Sequence, residues 1–155
     1  MSEFEPPVRQ DALASVGQRA LAQALDGLVL LLPAFLVVYL TTGEILASVN
    51  DDSKGSQLWA TFILVILQIT YNTVCVAVWG ATLGKRIVGL RVVNQADGGP
   101  VSFNYAAVRA LIPSAAGLIP VIGMAAPIVI YMRAFFHPLR KGWHDQAAGT
   151  IVVRR

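Results

Sequence analysis

The first long apolar stretch of the sequence contains one acid, Asp26, and begins beside one base, Arg19. They are seven residues apart, nearly two helical turns, so the two side chains project from almost the same face of a helix. At 1.5 Å of rise per residue, Asp26 lies about 10 Å deeper than Arg19. A carboxylate inside a membrane costs at least about 2.5 kcal/mol, so Asp26 must face other helices or take up a proton. A proton or cation site and a structural ion pair explain this residue equally well.

Arg109 is a candidate partner for Asp26. It lies seven residues after Ser102, a residue suited to cap a helix, and Arg19 and Asp26 have the same spacing. If both helices start on the same side of the membrane, Arg109 and Asp26 lie at matching depths. The sequence therefore predicts an Asp26–Arg109 pair, whose main effect is that neither charge is left uncompensated.

Asp145 directly follows His144. Neighbouring residues point in different directions on a helix or a strand, so these two make a poor catalytic dyad. We expect Asp145 to cap a short helix at the membrane surface or to pair with a base such as Arg19. The chain has two histidines and one cysteine and no HExxH pattern, so we expect no metal site. No activated serine or cofactor motif is present either, and we predict neither catalytic residues nor a cofactor.

The segment from Gly80 to Lys85 is similar in composition to a phosphate-binding loop but has the wrong spacing. It reads Gly-x3-Gly-Lys, and Arg86 stands where such a loop has a metal-binding hydroxyl. We therefore expect no nucleotide binding. Lys85, Arg86 and Arg91 are instead predicted to contact anionic lipid headgroups, each worth about 1 kcal/mol near such a surface.

The overall composition is that of a membrane protein. Hydrophobic residues make up 55% of the 155 residues, charged residues only 14%, and the mean hydropathy is +0.62. Soluble domains carry about 25% charged residues, so these values argue against a soluble enzyme and against a DNA-binding domain. We interpret the net charge of +3 as an excess of Lys and Arg on the cytoplasmic side, not as a nucleic-acid site.

The elements that must position these residues are membrane helices. Residues 58–79 contain no charge and have Trp59 and Trp79 near their ends, as expected for a crossing between two interfaces. The fold class predicted is an all-α multi-pass membrane protein with about four helices, and with three as the alternative. The predicted helices are residues 20–40, 58–79, 102–118 and 121–136.

The distribution of bases predicts the orientation. Residues 41–57 contain one base, whereas the segment after residue 80 and the C-terminal segment from Arg133 contain three and five. Both termini are therefore expected to be cytoplasmic, which requires the apolar region 102–136 to enter the membrane and return. We divide the chain into a cytoplasmic segment 1–18, a membrane domain 19–153 and a tail 154–155. Within the domain, residues 90–93 and 150–153 are predicted to pair as short strands, because both are β-branched and follow a glycine.

Several of these features together resemble one protein family. Arg19 and Asp26 open the first helix, the glycine-rich basic segment 80–93 follows the second, Arg109 lies early in the next, and Asp145 comes near the end. This pattern is similar to the RDD family of small bacterial membrane proteins, named for one arginine and two aspartates. The resemblance extends over about residues 19–153 and implies that Arg19, Asp26 and Asp145 are the namesake residues. It also implies location in the bacterial inner membrane and, for some members, sodium/proton exchange.

Two classes of function remain open. In the first, the protein is a small transporter that exchanges a cation for protons through Asp26, and it must act as a homo-oligomer because four short helices enclose too little space. In the second, it is a non-transporting scaffold or accessory subunit, and its charges organise contacts with lipid or with a membrane partner. We expect no nucleic-acid partner in either case.

Overall fold

The computed structural model describes residues 12–43, 54–116, 133–134 and 136–155, and this part of the chain is mostly helical. Helix α1 covers Val16–Thr42. Ser15 caps its first turn, because the Ser15 side chain accepts from the Gln18 backbone while the Gln18 side chain accepts from the Ser15 backbone. The helix ends at Gly43, whose φ of 74° is easily adopted only by glycine.

Helix α2 covers Lys54–Trp79. Within α1 and α2, residues Val16–Thr41 and Leu58–Trp79 are long and apolar enough to cross a membrane. Only 11% and 17% of their most apolar windows are buried inside the protein, whereas the core helix of a soluble protein would be mostly buried. Their apolar surface therefore needs an apolar environment, and lipid provides it.

Several shorter elements follow α2 in the part of the chain that the structure describes. Helix α3 is Leu83–Ile87, strand β1 is Leu90–Asn94 and helix α4 is Phe103–Ala116. Helix α5 is Trp143–Ala147 and strand β2 is Thr150–Arg154.

Strands β1 and β2 are the two segments for which the sequence predicts a pair. They run antiparallel, with Val92 opposite Val152 at the centre of the register. Leu13 extends the pairing by a bridge to Val153, and the Ala14 backbone donates to Val152 at 3.0 Å. The chain before α1 is thereby fastened to the last strand.

All the short elements gather at one end of the long helices. Gly80, directly after α2, accepts from the Val92 backbone at 2.7 Å, and the residues before α1 bond to β2. The small core at this end is made of apolar residues from every part of the chain: Ala14, Ala22, Val76, Leu90, Val92, Val101, Ala106 and Val152. This end of the molecule is therefore where distant charged residues can meet.

The boundaries differ from those predicted from apolar runs. Helix α1 begins four residues before residue 20 and α2 four before residue 58, because the capped first turn and the polar first turn are not apolar. Helix α4 is described to Ala116, within the predicted 102–118. The predicted helix 121–136 lies almost wholly outside the described residues, so the choice between three and four crossings stays a prediction.

Candidate functional site

Asp145 is the centre of the largest buried charge contact. Its side chain is fully buried, and Arg19 Nη1 donates to its Oδ2 at 2.6 Å. Arg109 Nη1 donates to its Oδ1 and also to the Thr150 hydroxyl, the latter at 2.9 Å. One carboxylate from α5 therefore compensates two arginines, one from the first turn of α1 and one from the second turn of α4.

The position of Asp145 follows from the start of α5. Asp145 is the third residue of this helix, and its Oδ2 accepts from the Gly142 backbone at 3.2 Å, which caps the helix. Burial by itself would raise the pKa of Asp145, but the charges of Arg109 and Arg19 hold that pKa well below its usual range. Asp145 is therefore ionised at every physiological pH.

His144 contacts Asp145 but carries no charge near neutral pH. Its Nε2 lies 3.4 Å from Asp145 Oδ1, and its side chain is 3% exposed. Burial and the nearby charge of Arg109, opposed by Asp145, together lower the pKa of His144 to about 4.

Asp26 is held by three hydrogen bonds from inside the protein. Its Oδ1 accepts from the Tyr71 hydroxyl at 2.8 Å and from the Gly84 backbone at 2.8 Å. Its Oδ2 accepts from the Thr82 hydroxyl at 2.6 Å. These partners lie in α2 and at the start of α3. The hydrogen bonds of Asp26 therefore connect α2 and α3 to α1.

Gly84 permits the close contact between α3 and α1. A Cβ at position 84 would lie 2.1 Å from the Ala22 carbonyl oxygen and 2.9 Å from the Asp26 carboxyl carbon. Both neighbours belong to α1, and its backbone cannot give way. Only glycine therefore allows α3 to approach α1 closely enough for the Gly84 backbone to donate to Asp26.

Lys85 is buried next to Asp26. Its ammonium nitrogen lies 3.9 Å from Asp26 Oδ2 and donates to the Thr82 hydroxyl at 3.2 Å. Burial, and then the charge of Arg109, lower the pKa of Lys85 to about 8, although Asp26 opposes this shift. We refer to Arg19, Asp26, Lys85, Arg109 and Asp145 as the buried charge cluster.

A cavity of about 390 Å³ lies beside the buried charge cluster. This volume is within the range of about 300–1,000 Å³ that is usual for small-molecule sites. The described residues that line it include three cations and a histidine, namely Arg19, Lys85, Arg109 and His144. The rest of the described lining is made of amides and small residues of α1, α2 and α4, among them Gln23, Gln68, Asn72, Ala24, Ala110 and Ser114.

A comparison with protein families identifies a family for this chain. The sequence profile of the RDD family matches residues 13–149, which is most of the chain. The chain belongs to the RDD family. Comparison with curated proteins and with solved structures finds no match.

In this RDD protein the matched segment contains Arg19, Asp26 and Asp145, which the resemblance implies are the namesake residues, and the structure gives them different partners. Arg19 pairs with Asp145, as expected from the sequence. Asp26 does not pair with Arg109, and that prediction is wrong. Arg109 donates to Asp145 and Thr150, while the charge nearest to Asp26 is Lys85. Arg109 instead reaches the carboxylate that Arg19 also contacts, so the equal spacing within the two helices did not place Arg109 beside Asp26.

The three bases predicted to contact lipid differ in position. Lys85 is only 7% exposed and lies inside the protein, so the expectation of a headgroup contact is wrong for this residue. Arg86 is exposed, and its guanidinium lies 5.6 Å from the ring centre of Trp79. Arg91 is exposed as well and packs over Gly80. Arg86 and Arg91 therefore remain accessible to a headgroup.

The polar residues of α2 have two different roles. Tyr71 bonds to Asp26 across the helix interface, as expected for interhelix bonding, and it also accepts from the Leu83 backbone at 3.1 Å. Asn72 donates to Gln68 within its own helix, and both residues line the cavity. Cys75 is buried, as expected for a packing residue.

Sequence reasoning missed two hydroxyl partners. Thr82 holds Asp26 and Lys85, and Thr150 holds Arg109. The only available signal for Thr82 was its position directly before a short helix. For Thr150 there was none, because its contact with Arg109 depends on the pairing of β1 with β2.

Proposed function

We propose that this RDD protein binds a small organic anion in the cavity and transports it across the membrane. The observation that carries the proposal is the sign of the charges on the cavity wall. Among the described residues, Arg19, Lys85 and Arg109 line the cavity, and neither Asp26 nor Asp145 does. The charged side chains that a solute in the cavity meets among the described residues are therefore cationic.

The balance of buried charge supports the same solute class. The buried charge cluster contains three cations and two carboxylates, and His144 adds no charge near neutral pH because its pKa is about 4. Among the described residues of this cluster, cations therefore outnumber carboxylates by one. An anion in the cavity would be attracted by this net positive charge.

The same geometry argues against the exchange of a cation at Asp26. Both oxygens of this carboxylate already accept hydrogen bonds from Tyr71, Thr82 and Gly84. A metal cation would have to replace these donors and would also lie next to the ammonium group of Lys85. Asp26 is better suited to hold Lys85 in position than to coordinate an ion.

The proposal keeps the arrangement expected from the sequence: four helices, cytoplasmic termini and a homo-oligomer in the bacterial inner membrane. Several exposed or buried bases lie together at the end where α1 begins and α2 ends, including Arg19, Arg86 and Arg91, which favours a cytoplasmic position for that end. Arg86 and Arg91 would contact anionic headgroups there.

A non-transporting scaffold is the second candidate. It is favoured by the Asp145 contacts, since this carboxylate joins α1 and α4 to α5 and Asp145 is absent from the described lining of the cavity. In this alternative the buried charge cluster serves only to assemble the membrane domain. Proteoliposomes distinguish the two candidates.

The experiment measures the uptake of benzenesulfonate by proteoliposomes that contain only the purified protein. This probe is a compact anion at every pH used and crosses a bare bilayer poorly. We expect saturable uptake, and no sodium flux in parallel vesicles. Sodium flux without benzenesulfonate uptake would restore the cation proposal, and the absence of both fluxes would favour the scaffold.

Two matched variants test whether the solute uses this cavity. Ala24 and Ala115 are both exposed alanines, and only Ala24 lines the cavity. Ala24→Leu should reduce uptake severalfold, because the larger side chain occupies the binding volume. Ala115→Leu adds the same bulk outside the cavity and should leave uptake as in the wild type. Equal uptake by both variants would contradict the placement of the solute.

A further inference from the structure

We propose that Lys85 takes up a proton when an anion binds in the cavity, so that the anion and a proton are bound together. This inference rests on the proposed function and adds a coupling group to it. It assigns to Lys85 a role different from that of Arg19 and Arg109, which line the same cavity.

The position of Lys85 distinguishes it from the two arginines. Lys85 lines the cavity and at the same time contacts Thr82 at 3.2 Å, which in turn donates to Asp26. Arg109 and Arg19 both contact Asp145. Lys85 is 3.9 Å from its carboxylate and therefore has the weaker pairing, which an incoming anion can complete.

The neighbours of Lys85 explain why its protonation depends on the charges around it. Helix α1 contributes Asp26 and Arg19, α4 contributes Arg109, and α5 contributes Asp145 and the neutral His144. Helix α2 contributes Cys75, and its Tyr71 bonds to the Asp26 carboxylate. Burial and the two arginines disfavour an ammonium at this position, and Asp26 and Asp145 favour it. The pKa of Lys85 is about 8 as a result, so a modest added negative charge is sufficient to shift it upward.

The step is a simple proton binding. The neutral amine of Lys85 accepts one proton from water on the side that delivers the anion, and the resulting ammonium and the anion neutralise each other. When the anion leaves, the pKa falls back to about 8 and the proton can be released. Guanidinium groups cannot take this role, because they are not deprotonated in proteins.

Titration calorimetry tests this inference on the purified full-length protein, with benzenesulfonate as the probe. The measurement is repeated at pH 8 in two buffers with different ionisation enthalpies, which gives the number of protons taken up. We expect uptake of about half a proton at pH 8, since half of the lysines are then neutral, and almost none at pH 6.5. Binding should weaken as the pH rises from 7 to 9.

Three variants assign the proton. Lys85→Arg should bind the probe without proton uptake, because its charge is permanent, and Lys85→Gln should bind at least tenfold more weakly with no dependence on pH. Cys75→Ala removes the only thiol of the chain and should keep the wild-type proton uptake. This control is needed because Cys75 is a second titratable group close enough to Lys85 for their charges to interact.

The outcomes separate this inference from the proposed function. No binding of benzenesulfonate at any pH would overturn the proposed function, and the inference with it. Binding without proton uptake in the wild type would overturn the inference alone. Proton uptake that persists in Lys85→Arg, or disappears in Cys75→Ala, would assign the proton to another group and would also overturn it. The wild-type measurement needs no substitution, so a variant that fails to fold does not remove the test.

Discussion

Arg19 and Asp145 are 126 positions apart in the sequence, and their side chains meet at 2.6 Å inside the protein. The contact closes the molecule, because it joins the first turn of α1 to the last helix. Arg109 shares the same carboxylate, so the second turn of α4 is held at the same point. The relation between these residues gives several predictions.

Asp145→Asn should strongly destabilise the protein. The substitution leaves Arg19 and Arg109 buried without a counter-charge, and breaking a buried pair in this way costs about 3–5 kcal/mol. The apparent melting temperature and the detergent-extracted yield should both fall. Asp97→Asn is the matched control, since Asp97 is exposed in a turn and should have little effect. A melting temperature equal to that of the control would contradict the role of Asp145.

Asp26→Asn should have a smaller effect, about 1–3 kcal/mol at pH 7, because asparagine keeps hydrogen-bonding capacity while Lys85 loses its counter-charge. Adding Lys85→Gln should recover part of the loss. Adding Arg109→Gln should not, because Arg109 contacts Asp145. Melting temperatures of the single and double variants show which cation is the charge partner of Asp26. Recovery by Arg109→Gln and not by Lys85→Gln would restore the pairing that the sequence predicted.

Gly84→Ala should lower stability by more than 2 kcal/mol and reduce the yield of folded protein. The added methyl group would lie 2.1 Å from the Ala22 carbonyl oxygen, so α3 would have to move away from α1. Gly27→Ala is the control on α1, because a Cβ there meets nothing within 4 Å. We expect it to be neutral or stabilising by up to about 1 kcal/mol. Equal melting temperatures for the two variants would be inconsistent with the close approach.

His144 should make the protein sensitive to mild acid. Its pKa is lowered from 6.5 to about 4, so between these values the unfolded state binds more protons than the folded state. Stability is therefore complete above pH 6.5 and is lost progressively as the pH falls to 4, by about 3 kcal/mol in total. The lowered pKa of Asp145 acts in the same direction only at lower pH.

Melting temperatures between pH 7 and pH 4.5 test this prediction. His144→Gln should flatten the decline, because glutamine cannot ionise. His137→Gln should preserve most of it, since His137 is the other histidine of the chain and is only partly buried. A decline that disappears in His137→Gln and persists in His144→Gln would contradict the assignment.

The sequence was sufficient to predict the long helices, the strand segments and charged residues that lie inside the protein. Hydropathy alone identifies α1 and α2, and β-branched residues after Gly89 and Gly149 identify the strands. The Arg19–Asp145 contact was one of two alternatives considered for Asp145. These features depend on residue type and local spacing, which a sequence contains directly.

The partners of Asp26 could not be predicted in the same way. Lys85 reaches it only because the chain turns back at Gly80 and α3 then approaches α1 at Gly84. Spacing within α1 and α4 contains no information on this return. The cavity is likewise a property of the assembled helices, since its lining residues come from α1, α2, α3, α4 and α5.

The central claim is that the cavity selects a negative charge, and equilibrium binding to the purified wild-type protein at pH 7 tests it most directly. Three probes of similar size are compared by titration calorimetry: benzenesulfonate, the neutral benzenesulfonamide and the cationic phenyltrimethylammonium. Our account predicts that benzenesulfonate binds at least tenfold more tightly than the other two, and that Ala24→Leu weakens this binding while Ala115→Leu does not. Tighter binding of phenyltrimethylammonium, or no difference between the three probes, would contradict it.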